Sequence, residues 1–391
     1  MRVLCTCVPG FGHFHPMVPL AQALVRAGHE VAFATAERFC RRVVEPAGFP
    51  TFPAGLSPMV VHEQTMALPG VGDPTEHELW RFGARMFAEV AAPAKVADLV
   101  GAAQAWSADL LIHDMTDFAG PIAAAVCDVP CASHSFGALH PDEFWDVAAE
   151  VVAPTWGAWG IEPGPLGGMF RSVYLDICPT GYQTPMIRRV PSVQPLRPVT
   201  FDNPTGQPLP EWVHELPPAP LVYVTLGTVA NHAPGVFETV IAGLADQPAN
   251  IVVTIGPDRD PAEMGALPAN VHVEPYLPQS LLFPSCDVVV CHGGSGTTLA
   301  ALACGVPMLV LPQEANQFWN ADRTATLGIG EVVRADQLTP DAVAAAVARL
   351  LEDPSYRASA RDLAVEMAAM PGPDEVVARL EEIGLERRGP R

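Results

Sequence analysis

The sequence predicts an α/β fold with two doubly wound parallel-sheet domains, and three observations predict it. Short β-branched runs alternate with helical stretches from residue 1 to about 135, and again from residue 221 onward. A proline-rich stretch over 190–220 separates the two series and reads as a linker. In the second series the strand Asp287-Val288-Val289-Val290 runs into a glycine-rich turn, Cys291-His292-Gly293-Gly294-Ser295-Gly296-Thr297-Thr298. A helical run, Leu299-Ala300-Ala301-Leu302-Ala303, follows that turn directly.

In the first series, residues 2–8 read as a strand that enters the loop Pro9-Gly10-Phe11-Gly12-His13-Phe14-His15-Pro16. A helix is expected from about Met17 to Arg26, with Gly28 at its C-terminus, and Val31–Ala34 is the next strand. Residues 50–95 lose this rhythm and read as an insertion of the kind that lines a pocket. Leu110–Asp114 is a strand, Gly120–Val126 a helix, and 132–135 a short strand. Aromatics thicken from Phe136 to Tyr174, and the glycines and prolines between them suggest a loop-rich wall around an apolar ligand. Trp80, Phe136, Trp145 and Trp156 are the residues expected to touch that ligand.

The second series continues with strands at 221–225, 251–255, 271–273, 288–291 and 308–311. Helices are expected at about 340–351, 356–370 and 374–384. The domains are therefore placed at 1–200 and 221–391, with 201–220 between them. The final helix could cross back to brace the first domain.

With 391 residues, of which 49% are apolar, the chain can bury a core in each of two domains. No apolar run reaches the roughly 18 residues that span a bilayer, and the start lacks signal-peptide features, so a cytoplasmic location is expected. A net charge of −21 without a basic cluster argues against nucleic-acid binding. Nine cysteines without a C-x-x-C pair argue against a disulfide framework or a zinc site.

The glycine-rich turn carries the chemistry. Strand, glycine turn and helix together point free backbone N–H groups at an anion, and the helix dipole adds positive potential there. Ser295, Thr297 and Thr298 add hydroxyl donors, so a diphosphate is the expected ligand. No Gly-Lys-Ser/Thr follows, which excludes a Walker loop. The earlier Gly10-x-Gly12-x-x-His15 puts histidine where a dinucleotide fold wants its third glycine.

Four patches follow strands of the second series: Leu226-Gly227-Thr228, Tyr276-Leu277-Pro278-Gln279, His292–Thr298 and Pro312-Gln313-Glu314-Ala315-Asn316-Gln317-Phe318. With Gly12-His13-x-x-Pro16, they resemble the nucleotide-sugar glycosyltransferases of the GT-B fold, nearest to actinobacterial enzymes that decorate natural products. The resemblance spans essentially the whole chain. It implies two Rossmann-like domains facing a cleft and an inverting, metal-independent transfer to a hydroxyl.

By position, the resemblance makes His13 the general base and Asp114 the carboxylate that orients it. Tyr276 would stack on the nucleobase, with Leu277 and Gln279 at the base edge. His292, Gly294, Ser295, Gly296 and Thr297 would hold the diphosphate, and Asn316 and Gln317 the sugar hydroxyls. Gly12 and Thr228 complete the implied donor site.

No cofactor is expected beyond the sugar nucleotide. The partners are small molecules, and a homodimer is left open. Two departures bear on the donor. Ala300 stands where uridine-using relatives often carry Glu for the ribose, which favours deoxythymidine diphosphate (TDP) sugars. Asn316 replaces the usual Asp, which favours a deoxy or modified sugar. Open alternatives are a uridine diphosphate (UDP) sugar-dependent transferase, a silent helper of the same fold and a sugar-nucleotide epimerase.

Overall fold

The computed structural model describes residues 1–391 except 73, 204–205, 228–234 and 387–391. They form two compact units. The first comprises Met1–Pro179, Gln183–Val199 and the residues from Met370 on; the second comprises Thr180–Tyr182 and Thr200–Ala369.

The first unit holds a seven-stranded sheet. Its strands are β1 (Arg2–Thr6), β2 (Glu30–Thr35), β3 (Thr51–Pro53), β4 (Leu110–Asp114), β5 (Cys131–His134), β6 (Val173–Asp176) and β7 (Val193–Pro195). They pair in parallel in the order β3-β2-β1-β4-β5-β6-β7. Strands such as β4, buried along its whole length, are apolar runs because helices cover both faces. The order reverses between β1 and β4, so the two strands diverge into helices on opposite faces and leave a crevice at their carboxyl ends.

The second unit repeats the plan with six parallel strands, β8 (Leu221–Thr225), β9 (Asn250–Thr254), β10 (Val271–Glu274), β11 (Val288–Cys291), β12 (Met308–Val310) and β13 (Gly330–Val332). Their order is β10-β9-β8-β11-β12-β13, with the reversal between β8 and β11. Val222, Val224, Ile251, Val253, Val288 and Val290 alternate into one core beneath the helices Val236–Leu244 and Pro340–Glu352.

Two expectations need correction, and one strand is unexpected. The aromatic stretch after Phe136 is not a loop-rich wall, because Asp142–Ala158 is a helix of 17 residues. Its buried residues Phe144, Trp145, Ala148, Val152 and Trp156 recur at helical spacing, and Pro154 within it hides the signal. Residues 190–220 are more than a linker: Val193–Pro195 adds the edge strand β7, where proline costs no ladder bond, and Glu211–His214 forms a helical turn. Strand β13 is short and begins with Gly330, too weak a pattern to read from sequence.

The final helix, Pro373–Glu386, is part of the first unit and packs on the helix Val18–Arg26. Arg26 Nη2 donates to Asp374 Oδ1 at 2.8 Å, and His29 Nε2 lies 3.0 Å from Glu381 Oε1.

Candidate functional site

Each unit carries a cluster of polar groups at its point of strand-order reversal. In the first unit, β1 feeds a loop that turns into a short helix, Phe11–Phe14, anchored by His13 and Phe14 N–H bonds to the Gly10 carbonyl. This helix presents the His13 ring to the end of β4. His13 Nδ1 lies 3.4 Å from Asp114 Oδ1 and 3.3 Å from Thr116 Oγ1. Asp114, the last residue of β4, is buried, whereas the His13 side chain keeps 18% of its surface exposed.

The Asp114 carboxylate is thoroughly bonded. Oδ2 accepts the Val8 N–H at 2.6 Å, and Oδ1 accepts both the N–H and the hydroxyl of Thr116 at 2.7 Å. Burial pushes its pKa up, but the His13 charge and the bonds from His13, Thr116 and Val8 outweigh it. The net result holds the carboxyl below the usual carboxylate range. An ionised Asp114 keeps the imidazole proton on Nδ1, which leaves Nε2 as the bare, basic nitrogen. Gly12 is exposed, with open space where a Cβ would stand, whereas a Cβ on Gly10 would fall 3.2 Å from His13 Cδ2.

The Phe136 ring meets His13 edge-on, with centroids 4.6 Å apart. Phe87 does the same at 5.9 Å on the side of a cavity walled largely by apolar groups, among them Val8, Leu56, Val61 and Met86, with Thr116, Lys95 and Asp117 as its polar members. The expected 50–95 stretch supplies most of these walls. Two expected acceptor residues are corrected: Trp145 and Trp156 are fully buried core, their indole N–H groups bonded to the carbonyls of His140 and Gly167. Trp80 is half-buried against the same core and does not line the cavity. His113 and His134 are also interior; burial lowers both, His134 to about 4.

In the second unit, β11 ends at Cys291 and the helix Ser295–Ala303 begins after His292, Gly293 and Gly294, with Gly294 as its N-cap. No side-chain cap hydrogen bond closes this end, so the first-turn N–H groups are left for a ligand. His292 is wedged between two glycines. A Cβ on Gly227 would fall 2.5 Å from its Cε1, and one on Gly294 would fall 2.4 Å from its Nε2. Burial lowers His292 to about 4, so the ring is neutral near pH 7, and its Nδ1 is buried without a partner. Thr297 and Thr298 are buried, Gly296 is exposed, and the Thr298 hydroxyl is also unpartnered.

Ser295 carries the most informative geometry. Its Oγ accepts Asn316 Nδ2 at 3.0 Å and Asn320 Nδ2 at 3.1 Å, while Asn320 Nδ2 also donates to the Gly293 carbonyl at 2.7 Å. Two amides fill the hydroxyl's lone pairs, which leaves its proton to donate outward. Asn316 therefore braces the turn. Gln317 is buried, and its carboxamide oxygen accepts the N–H groups of Gln313 and Glu314.

Tyr276 stands 45% exposed after β10, with its hydroxyl bonded to the Asp202 carbonyl. Asp202 also accepts the N–H and hydroxyl of Ser280. Leu277 beside it has a buried side chain, while Gln279 is half-buried at the start of the next helical turn. Thr228 lies outside the described residues.

Comparison with known proteins settles the family. Models of erythromycin biosynthesis protein CIII-like proteins match twice, the N-terminal domain over residues 22–227 and the C-terminal domain over residues 238–383. The chain belongs to this family. The L-demethylnoviosyl transferase of Streptomyces niveus is 35% identical, over 97% of each chain. The crystal structure of the glycosyltransferase SnogD from Streptomyces nogalater matches with a TM-score of 0.76 at 34% identity, over 98% of this chain and 99% of that one. VinC, a glycosyltransferase crystallised with dTDP, matches with a TM-score of 0.79 at 28% identity, over 99% of this chain and all of the other.

The protein is thus a GT-B glycosyltransferase of the natural-product class. Among its described residues, no helix is long and apolar enough to cross a membrane, and no group of three or more His, Cys, Asp or Glu side chains could hold a metal ion. Sequence reasoning missed Thr116 and Asn320. Nothing local distinguishes either residue, since each acts through a partner more than 20 positions away.

Proposed function

We propose that this glycosyltransferase moves a deoxy or modified sugar from a TDP-linked donor to a hydroxyl of an apolar natural product, with inversion and without a metal ion. The observation that carries the reading is the His13–Asp114–Thr116 cluster at the β1/β4 reversal, beside a largely apolar cavity.

His13 Nε2 takes the acceptor's hydroxyl proton as the oxygen attacks the anomeric carbon from the face opposite the diphosphate. The bond from that carbon to the leaving oxygen breaks, and its electron pair stays on the diphosphate. Asp114 supports the imidazolium that forms. The departing charge meets the helix N-terminus at Ser295, the outward Ser295 hydroxyl and the neutral His292 ring. These groups are organised before reaction, which supports a metal-independent step. Tyr276 offers an exposed ring for the base to stack on.

Ala300 supports the choice of TDP, because no carboxylate stands there to bond a ribose 2′-hydroxyl. Asn316 supports a deoxy or modified sugar, since its amide is occupied by Ser295. Product stereochemistry and turnover of matched TDP- and UDP-sugars, with and without chelator, test the reading together. The expected result is an inverted glycoside, a preference for TDP and no effect of chelator. Retention, a clear UDP preference or dependence on added metal would each remove the corresponding part. Alteration of the donor without any acceptor would point to epimerase chemistry.

A further inference from the structure

Lys95 is the single lysine of the chain, and it is buried against a carboxylate that the reaction above does not use. Its Nζ donates to Asp117 Oδ2 at 2.6 Å and to the Cys7 carbonyl at 2.9 Å. The same Asp117 oxygen accepts the Thr6 hydroxyl at 2.6 Å. The lysine stem is clamped as well. Gly55, at φ +78°, lies so close that a Cβ there would fall 3.1 Å from Lys95 Cγ, and the Gly55 N–H is tied to Asp98 at 3.0 Å.

The ion pair joins the two chain segments that hold Asp114. Cys7 precedes Val8, whose N–H bonds Asp114 Oδ2. Asp117 closes the turn after β4 by donating its own N–H to the Asp114 carbonyl at 3.0 Å. Thr6 and Cys7 on one side and Asp117 on the other are therefore fixed by one ammonium and one carboxylate. Stability alone explains such a pair poorly, because well-packed apolar side chains often replace a buried ion pair without loss.

We propose that Lys95 is a positioning residue, which with Asp117 fixes the ends of β1 and β4 so that the Asp114 carboxylate faces His13. This rests on the reading of His13 as the base. Lys95→Met alone would strand a buried carboxylate, so the decisive protein is the paired Lys95→Met/Asp117→Asn variant, with Lys95→Arg as the conservative exchange.

The paired variant is expected to fold and to bind TDP as the parent does. Both side chains also line the cavity beside His13, so acceptor KM can shift with the wall. The deciding readouts are TDP affinity within about twofold of the parent and a kcat at saturating acceptor lower by about tenfold or more, because small misplacements of reacting groups cost that much. The acid limb of its kcat pH profile should also be displaced, and Lys95→Arg should recover part of kcat. A folded paired variant with parental kcat and pH profile overturns the proposal. So does failure of both variants to fold, which would confine the pair to stability. His13→Ala, assayed alongside, separates the two readings. If it remains active, the base assignment fails; if it is inactive while the paired variant is not, only the role of Lys95 fails.

Discussion

His13 Nδ1 has two oxygens within 3.4 Å, and the arrangement makes each of them dispensable to a different degree. Asp114 carries the charge, so Asp114→Asn removes both the tautomer's anchor and the support for an imidazolium. The Thr116 hydroxyl donates its hydrogen bond to Asp114 and so can only accept from the ring. His13→Ala should lower kcat by roughly 10²–10⁴-fold with TDP affinity unchanged, the range of a lost general base. Asp114→Asn should fall toward the same range, and Thr116→Val only several-fold. Steady-state rates beside TDP titration check the ranking, and a Thr116→Val loss matching that of Asp114→Asn would contradict it. His13 and Asp114 are legible in the sequence through the Gly12-His13-x-x-Pro16 motif and the family resemblance it carries. Thr116 is two residues past such an end, where only the folded position of His13 reveals its use.

At the scale of elements, the glycine turn was legible and its bracing was not. Strand β11, the turn and the helix after it could all be read from composition. What could not be read was that Gly227, at the end of another strand, leaves room for the His292 ring, or that Asn320 aims Ser295. Gly294→Ala would drive a methyl into His292 Nε2, and Asn320→Ala would free the Ser295 hydroxyl to turn. Each should weaken TDP binding by about 10–100-fold, the worth of one hydrogen bond to a charged group. Isothermal titration checks this, and parental affinity in both variants would show that the turn does not hold the diphosphate.

The helix Asp142–Ala158 is the opposite case, an element hidden by one residue. Pro154 sits exposed in its interior and denies the Glu150 carbonyl its usual partner. Pro154→Ala should stabilise the first unit by about 1–3 kcal/mol, read as a raised unfolding midpoint. An unchanged or lowered midpoint would mean that the helix has already relaxed around the ring.

At the scale of the whole molecule, the sequence shows two sheet domains and leaves room for the final helix to return to the first, but shows none of the contacts that hold it there. The final helix joins the first unit through Arg26–Asp374 and His29–Glu381, partners about 350 positions apart that no local pattern links. Acid stability is likewise a property of burial and not of composition. Burial holds His134 at about 4 and His140 at about 3, the latter helped by the His13 charge, against about 6.5 unfolded. Between those values the unfolded chain binds more protons. Each histidine therefore contributes stability above pH 6.5 that is lost as pH falls toward 4, on the order of 3 kcal/mol or more apiece.

Asp176 works in the opposite direction. Burial raises it to about 7 despite bonds from Gln183 and the Cys178 N–H, so the folded state binds the extra proton and gains stability as pH falls from 7 toward 4. That gain, about 4 kcal/mol by the same linkage, offsets only part of what the histidines lose. Urea midpoints should consequently fall between pH 7 and pH 5. Asp176→Asn removes the counterweight, so the variant's midpoint should fall more steeply over the same interval. A variant whose midpoint is less sensitive to acid than the parent's would show that Asp176 does not take up its proton in the folded state.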